Sequence, residues 1–148
     1  MRIDWNIIDE QYFENEGYYY VEINTPIGIF LGETQADEID IQYPSAFQAS
    51  EICIQKALRK YAEAAANILK REIKMLENMV QQACDFAGGK RDKIDNNSFR
   101  IMNGTLKQKK KELASWQEKI NGCTQNIITR IQSRDRIVAK YVAQDKTE

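Results

Sequence analysis

Two groups of side chains have the types and spacing needed to hold an anion. In "DNNSFRIMNG", Asp95 to Gly104, Phe99, Arg100 and Asn103 stand among polar amides where a helix begins. A helix start offers free N–H groups and the positive end of its dipole. A guanidinium grips phosphate through two parallel bonds, and an aromatic face stacks a base for about 1–3 kcal/mol. Asparagine amides read base edges or ribose hydroxyls. The simpler alternative makes Phe99 a core anchor and Arg100 a solvated charge. The second group is Arg59, Arg130 and Arg134. Arg130 and Arg134 are one helical turn apart and share a face. In an antiparallel helix pair, the late part of the second helix returns beside the early part of the first. Arg59 would then meet both, and Arg100 would join from a partner subunit. Most helical charges simply keep a face wet, but the planar fork of arginine suits phosphate better than a lysine ammonium does.

Catalysis finds less support. The chain has no histidine, so Ser-His-Asp and Cys-His arrangements are excluded, along with the commonest general base and metal ligand. No catalytic residue, metal ligand or cofactor is assigned. Cys53, Cys84 and Cys123 are odd in number and far apart. They read as buried free thiols, not as a disulfide framework or a zinc site. Gly89-Lys90 is not a phosphate loop, because the glycine required five residues earlier is Cys84. Gly28-x-x-x-Gly32 is no dinucleotide fingerprint; strand glycines more often permit a bulge or a close backbone approach.

The elements behind these residues follow from periodicity. Tyr18–Asn24 and Ile27–Leu31 read as two strands around Asn24-Thr25-Pro26, and Pro26 keeps that end out of a central ladder. Such a hairpin is marginal alone and must pack on something. Ser45 with Gln48 forms a capping pattern for a first helix. Its stripe is Ile54, Leu58, Tyr61, Ala65, Leu69, Ile73, Leu76, Val80, Ala83 and Ala87. "AGGKRDKIDNN" stops it. The second helix starts at Ser98 or Thr105, and its stripe runs from Leu106 through Leu113, Trp116, Ile120, Cys123, Ile127 and Ile131 to Tyr141. Asn121-Gly122 is a weak point inside it.

The expected fold is therefore α+β, mostly α. A small N-terminal antiparallel β-hairpin packs on a long antiparallel two-helix hairpin. One domain spans 1–148: an acidic hairpin region 1–44, helix one 45–87, a loop 88–98 and helix two 99–143. Helices of about 40 residues run roughly 60 Å, too long for one hairpin to cover. Phe47, Ile52, Ile68, Met75, Met79 and Ile128 are left over for another subunit, which predicts a homo-oligomer joined through the helices, most simply about a twofold axis. No run approaches the roughly 18 apolar residues of a membrane span. The charged start also lacks the apolar core of a leader, so a cytoplasmic location is expected.

Charge divides the chain. Residues 1–44 hold ten acids against one base, a net of −9, and residues 45–148 hold 20 bases against 12 acids, a net of +8. Such asymmetry points to internal complementarity or to an anionic partner for the basic part.

The stretch "GIFLGETQADEIDIQYPSAFQASEICIQKALRK" is similar to one family, the phage Thoeris anti-defence proteins of the first type. Gly28, Phe30, Gly32, Thr34, Asp40, Ser45, Phe47, Ala57 and Arg59 carry the resemblance, and the order of hairpin, long helix, loop and long helix agrees. It implies a sponge and not an enzyme. Such proteins sequester cyclic ADP-ribose isomers made by bacterial TIR-domain defence proteins, without degrading them. Some members also hold cyclic oligonucleotides of CBASS-type signalling at separate sites on a higher oligomer. Family pockets form between subunits from Arg, Phe and Asn side chains, in the cytoplasm of an infected bacterium. Two other readings stay open: a helical-hairpin module that binds another protein, and nucleic-acid binding through "LKQKKKE". The acidic front disfavours a long polyanion.

Overall fold

The computed structural model describes residues 4–13, 16–35, 46–86 and 96–147, and leaves undescribed the helical side chains at 46–48, 86, 96–97, 134–135, 137–138 and 140–147. Three strands come first: β1 (Asn6–Phe13), β2 (Tyr18–Thr25) and β3 (Gly28–Gln35). Two helices follow, α1 (Ala46–Phe86) and α2 (Asn96–Thr147). The sheet is antiparallel in the order β1-β2-β3, and the helices form a hairpin, giving the mostly helical α+β fold that was expected. The strand β1 was not. Ser45, the expected cap of α1, and most of the expected loop 88–98 lie outside the described residues. The chain divides into two compact units, Met1–Ala62 with Lys119–Glu148, and Glu63–Glu118.

In the first unit the sheet lies on the front of α1. Pro26 and Ile27 form the β2–β3 turn. Thr25 Oγ1 braces it, donating to Gly28 O at 2.7 Å and accepting from Ile27 N at 3.3 Å. Val21, Ile23 and Thr34 face inward and are buried, and Gly32 lies against the α1 backbone at Cys53 and Ala57. Phe30 stacks on Tyr61 with ring centroids 5.8 Å apart. Cys53 Sγ donates to Tyr19 O at 3.4 Å. On its other side α1 meets the later part of α2, where Ala49, Ile52 and Ile127 form a core with Tyr19 and Ile131 against it. Ile52, expected to face another subunit, is thus wholly buried within its own chain, because the sheet and α2 cover α1 from two sides. Full burial of each such side chain contributes about 1.5–3 kcal/mol.

The acidity of the front has a structural use. Each of three consecutive tyrosines donates to a carboxylate: Tyr18 to Glu33, Tyr19 to Glu10 and Tyr20 to Asp9. Ser50 of α1 donates to the same Glu10 oxygen, tying β1 to the helix. The phenols are pushed up to about 12, Tyr18 and Tyr20 chiefly by these hydrogen bonds and Tyr19 chiefly by burial, then by its bond to Glu10. A phenol raised in the folded state favours folding while neutral, and that contribution is lost as the pH rises through the folded value. Their contribution to stability is therefore expected to be level from neutral pH to about pH 10 and to fall between about 10 and 12. Urea midpoints followed against tyrosinate absorbance check this; a decline complete before free tyrosine titrates would contradict it.

The second unit pairs the rest of α1 with the start of α2. Leu69 and Ile73 are buried, and two ion pairs cross between the helices, Lys109–Glu72 at 2.6 Å and Lys110–Glu77 at 3.2 Å. Two lysines of "LKQKKKE" are thus engaged within the fold. Met75 and Met79, expected to meet another subunit, are exposed, as is Ile128 in the first unit. Ile68 is half-buried, and the Phe47 side chain lies outside those described. Helix α2 begins at Asn96, earlier than either expected start, and runs unbroken through Gly104 and Gly122. A Cβ at either glycine meets nothing within 4 Å. Gly104→Ala and Gly122→Ala are each expected to stabilise the protein by about 0.5–1 kcal/mol, read as a higher urea midpoint at unchanged slope.

Candidate functional site

Among the described residues of the first unit, a polar groove of about 380 Å³ lies between α1 and α2, lined by Glu51, Gln55, Asn126, Thr129, Arg130 and Ser133. Glu51 and Gln55 are one turn apart on α1. The four α2 residues recur at steps of three and one, so they share a face. Beside them the apolar stripe holds the helices together through Ile52 and Ile127. The polar lining is thus the shoulder of the core, held in place by it. Asn126 Nδ2 donates to Gln55 Oε1 at 3.2 Å across the groove. Thr124, a half-turn earlier, turns its hydroxyl back to Ile120 O at 3.0 Å.

The charges balance. Arg130, half-buried, brings one guanidinium, and Glu51 one carboxylate. Two carboxamides and two hydroxyls supply both donors and acceptors. The chemistry of such a lining is complementary to one anionic group, to hydroxyls facing the carboxylate and to an edge of mixed donors and acceptors facing the amides. Every lining residue is helical, and the sheet takes no part.

Arg130 is the sequence-expected ligand that the groove contains. Arg134 follows one turn later on α2, with its side chain outside those described. Arg59 is exposed on α1 and is absent from the lining. Its charge acts instead on Cys123, where burial raises the thiol and Lys119 and Arg59 partly oppose that rise. Phe99, Arg100 and Asn103 belong to the second unit, in the first two turns of α2. Phe99 is half-buried, Arg100 and Asn103 are exposed, and Phe99 and Asn103 share a face.

Searches against protein-family profiles, characterised proteins and solved structures return no match. The reading therefore stands on the residues themselves.

Glu51, Gln55, Asn126, Thr129 and Ser133 were not singled out from sequence, although a signal was there. Once Ile52 and Ile127 are taken as facing core positions, helical spacing puts these five polar residues beside them. None of the three thiols is in a disulfide; Cys53 and Cys123 are buried and Cys84 is half-buried. Among the described residues no three Cys, Asp or Glu side chains gather as a metal site, and no described helix is long and apolar enough to cross a membrane.

Proposed function

We propose that the protein is a binding protein, not a catalyst, which takes up anionic cyclic nucleotides of the glycocyclic ADP-ribose type and holds them unchanged. It would thereby silence antiviral signalling in the cytoplasm of an infected bacterium. The observation that carries this reading is the groove around Arg130. Its guanidinium suits a phosphate, Glu51 suits ribose hydroxyls, and Gln55 and Asn126 suit a base edge. The likeness of residues 28–60 to the sponge family points the same way. A cyclic diphosphate carries more negative charge than one arginine neutralises. A second copy of the chain, self-associated as the exposed side chains invite, supplies the rest, with Arg100 and Phe99 as its contribution.

A thermal-shift panel of cyclic nucleotides tests the proposal, followed by heat release of the bound ligand. Stabilisation with intact ligand recovered is expected. A hydrolysed product would make the protein an enzyme, and a flat panel would remove the ligand altogether.

A second reading rests on Met75, Met79 and Ile101, 62%, 49% and 68% exposed in the second unit. Apolar side chains left open on helices are what a helical-hairpin interaction module offers another protein. That reading expects the flat panel.

A further inference from the structure

The outer face of the sheet carries chemistry that the groove does not use. Phe13, Tyr18 and Tyr20 lie side by side there, with centroid separations of 5.9, 6.1 and 6.1 Å. Phe13 faces Tyr18 directly across β1 and β2, and Tyr20 follows two residues on along the same face. Ring planes inclined by 27° to 44° make a shallow platform, not a plug. Carboxylates edge it: Asp9 accepts from Tyr20 at 2.6 Å, and Glu33 accepts from Tyr18. Glu22 alternates onto the same face, and its charge helps to keep the Tyr20 phenol protonated. From residue 4 to residue 35 the sequence has no lysine or arginine. Phe13 remains 40% exposed, while Val21, Ile23 and Thr34 on the opposite face are buried.

We infer that this platform docks the guanidinium or ammonium side chains of an extended segment from another protein. Aromatic faces are electron-rich and attract cations held over them, most strongly where water is displaced. Carboxylates at the rim add a charge-assisted bond and repel anions. A purely apolar partner would strip water from Asp9, Glu22 and Glu33 without repaying it. Spacing indicates an extended partner, since alternate residues of a strand recur about every 6.8 Å, close to the ring separations here. The face is acidic where the lining of the Arg130 groove is charge-balanced, so the two sites suit different ligands.

The probe is a short peptide alternating arginine and valine, titrated into isotopically labelled full-length protein, with a glutamate–valine peptide as control. Expected are shifts in the ring resonances of Phe13, Tyr18 and Tyr20 that weaken with salt and are absent with the control. Phe13→Ser is expected to weaken binding about tenfold. Glu22→Lys should weaken it further, with far-ultraviolet dichroism and cyclic-nucleotide stabilisation unchanged in both variants. Three results would overturn the inference: no ring shifts, equal shifts with both peptides, or ring resonances that move on dilution of the free protein because self-association already covers these rings.

Discussion

Gly32→Ala is expected to cost the fold about 3 kcal/mol or more, the upper end of overpacking effects. A Cβ built at Gly32 lies 1.8 Å from the Cys53 carbonyl oxygen and 2.9 Å from the Ala57 nitrogen. Those are backbone atoms of a helix, so no side chain can swing aside. Either β3 lifts from α1 or the helix bends. Lifting β3 uncovers Val21 and Ile23 and separates Phe30 from Tyr61. Gly28→Ala is the control. Its φ of +141° strains any side chain, but no atom lies within 4 Å, so about 1–3 kcal/mol is expected from the backbone alone. Urea unfolding of both variants separates the two effects. If Gly32→Ala unfolds at the wild-type midpoint, the close crossing of strand and helix is refuted.

Arg130→Glu is expected to weaken cyclic-nucleotide binding about a hundredfold or more, with far-ultraviolet dichroism unchanged. A charge-assisted bond to phosphate is worth about 1.5–3 kcal/mol, each 1.4 kcal/mol is tenfold in affinity, and reversal adds repulsion from the new carboxylate beside Glu51. Arg59→Glu is the matched control, since Arg59 lies on the same unit but outside the lining; less than about threefold is expected. Calorimetric titration reads both. Equal losses would restore the convergence of Arg59 with Arg130 that sequence geometry predicts. Unchanged binding in Arg130→Glu would remove the groove as the site.

Much of this was legible in the sequence because helices announce themselves by spacing. The stripe Leu58, Tyr61, Ala65, Leu69 and Ile73 is the buried face of α1, and the ends of α1 fall within a residue of expectation. The missed strand has a physical reason. The β1 register shifts between Ile7 and Asp9, and this bulge resets the alternation of faces. Ile7, Glu10 and Tyr12 then share one face while Asp9 and Phe13 share the other, so period two is hidden. Strand β3 was read too short for a related reason. Its Glu33 and Thr34 look like loop residues until Tyr18 supplies a hydroxyl to one and the fold buries the other. The second buried side of α1, with Ala49, Cys53 and Ala57, was hidden because small residues signal close backbone approach only when the partner is known. For the site, the sequence pointed to arginines, and the groove held one of them. Its other walls are uncharged or acidic residues that gain meaning only from the facing helix.

Two lysines mark where this sheet stops. Lys60 Nζ donates to Leu31 O at 2.7 Å and Lys56 Nζ to Glu33 O at 3.1 Å, so two carbonyls of β3 are already taken. An ammonium group offers no acceptor in return, and a stray chain approaching that margin meets positive charge and finds no ladder to extend. Side chains rooted in α1 thus hinder strand addition at that margin, and they do so only while the helix stays docked.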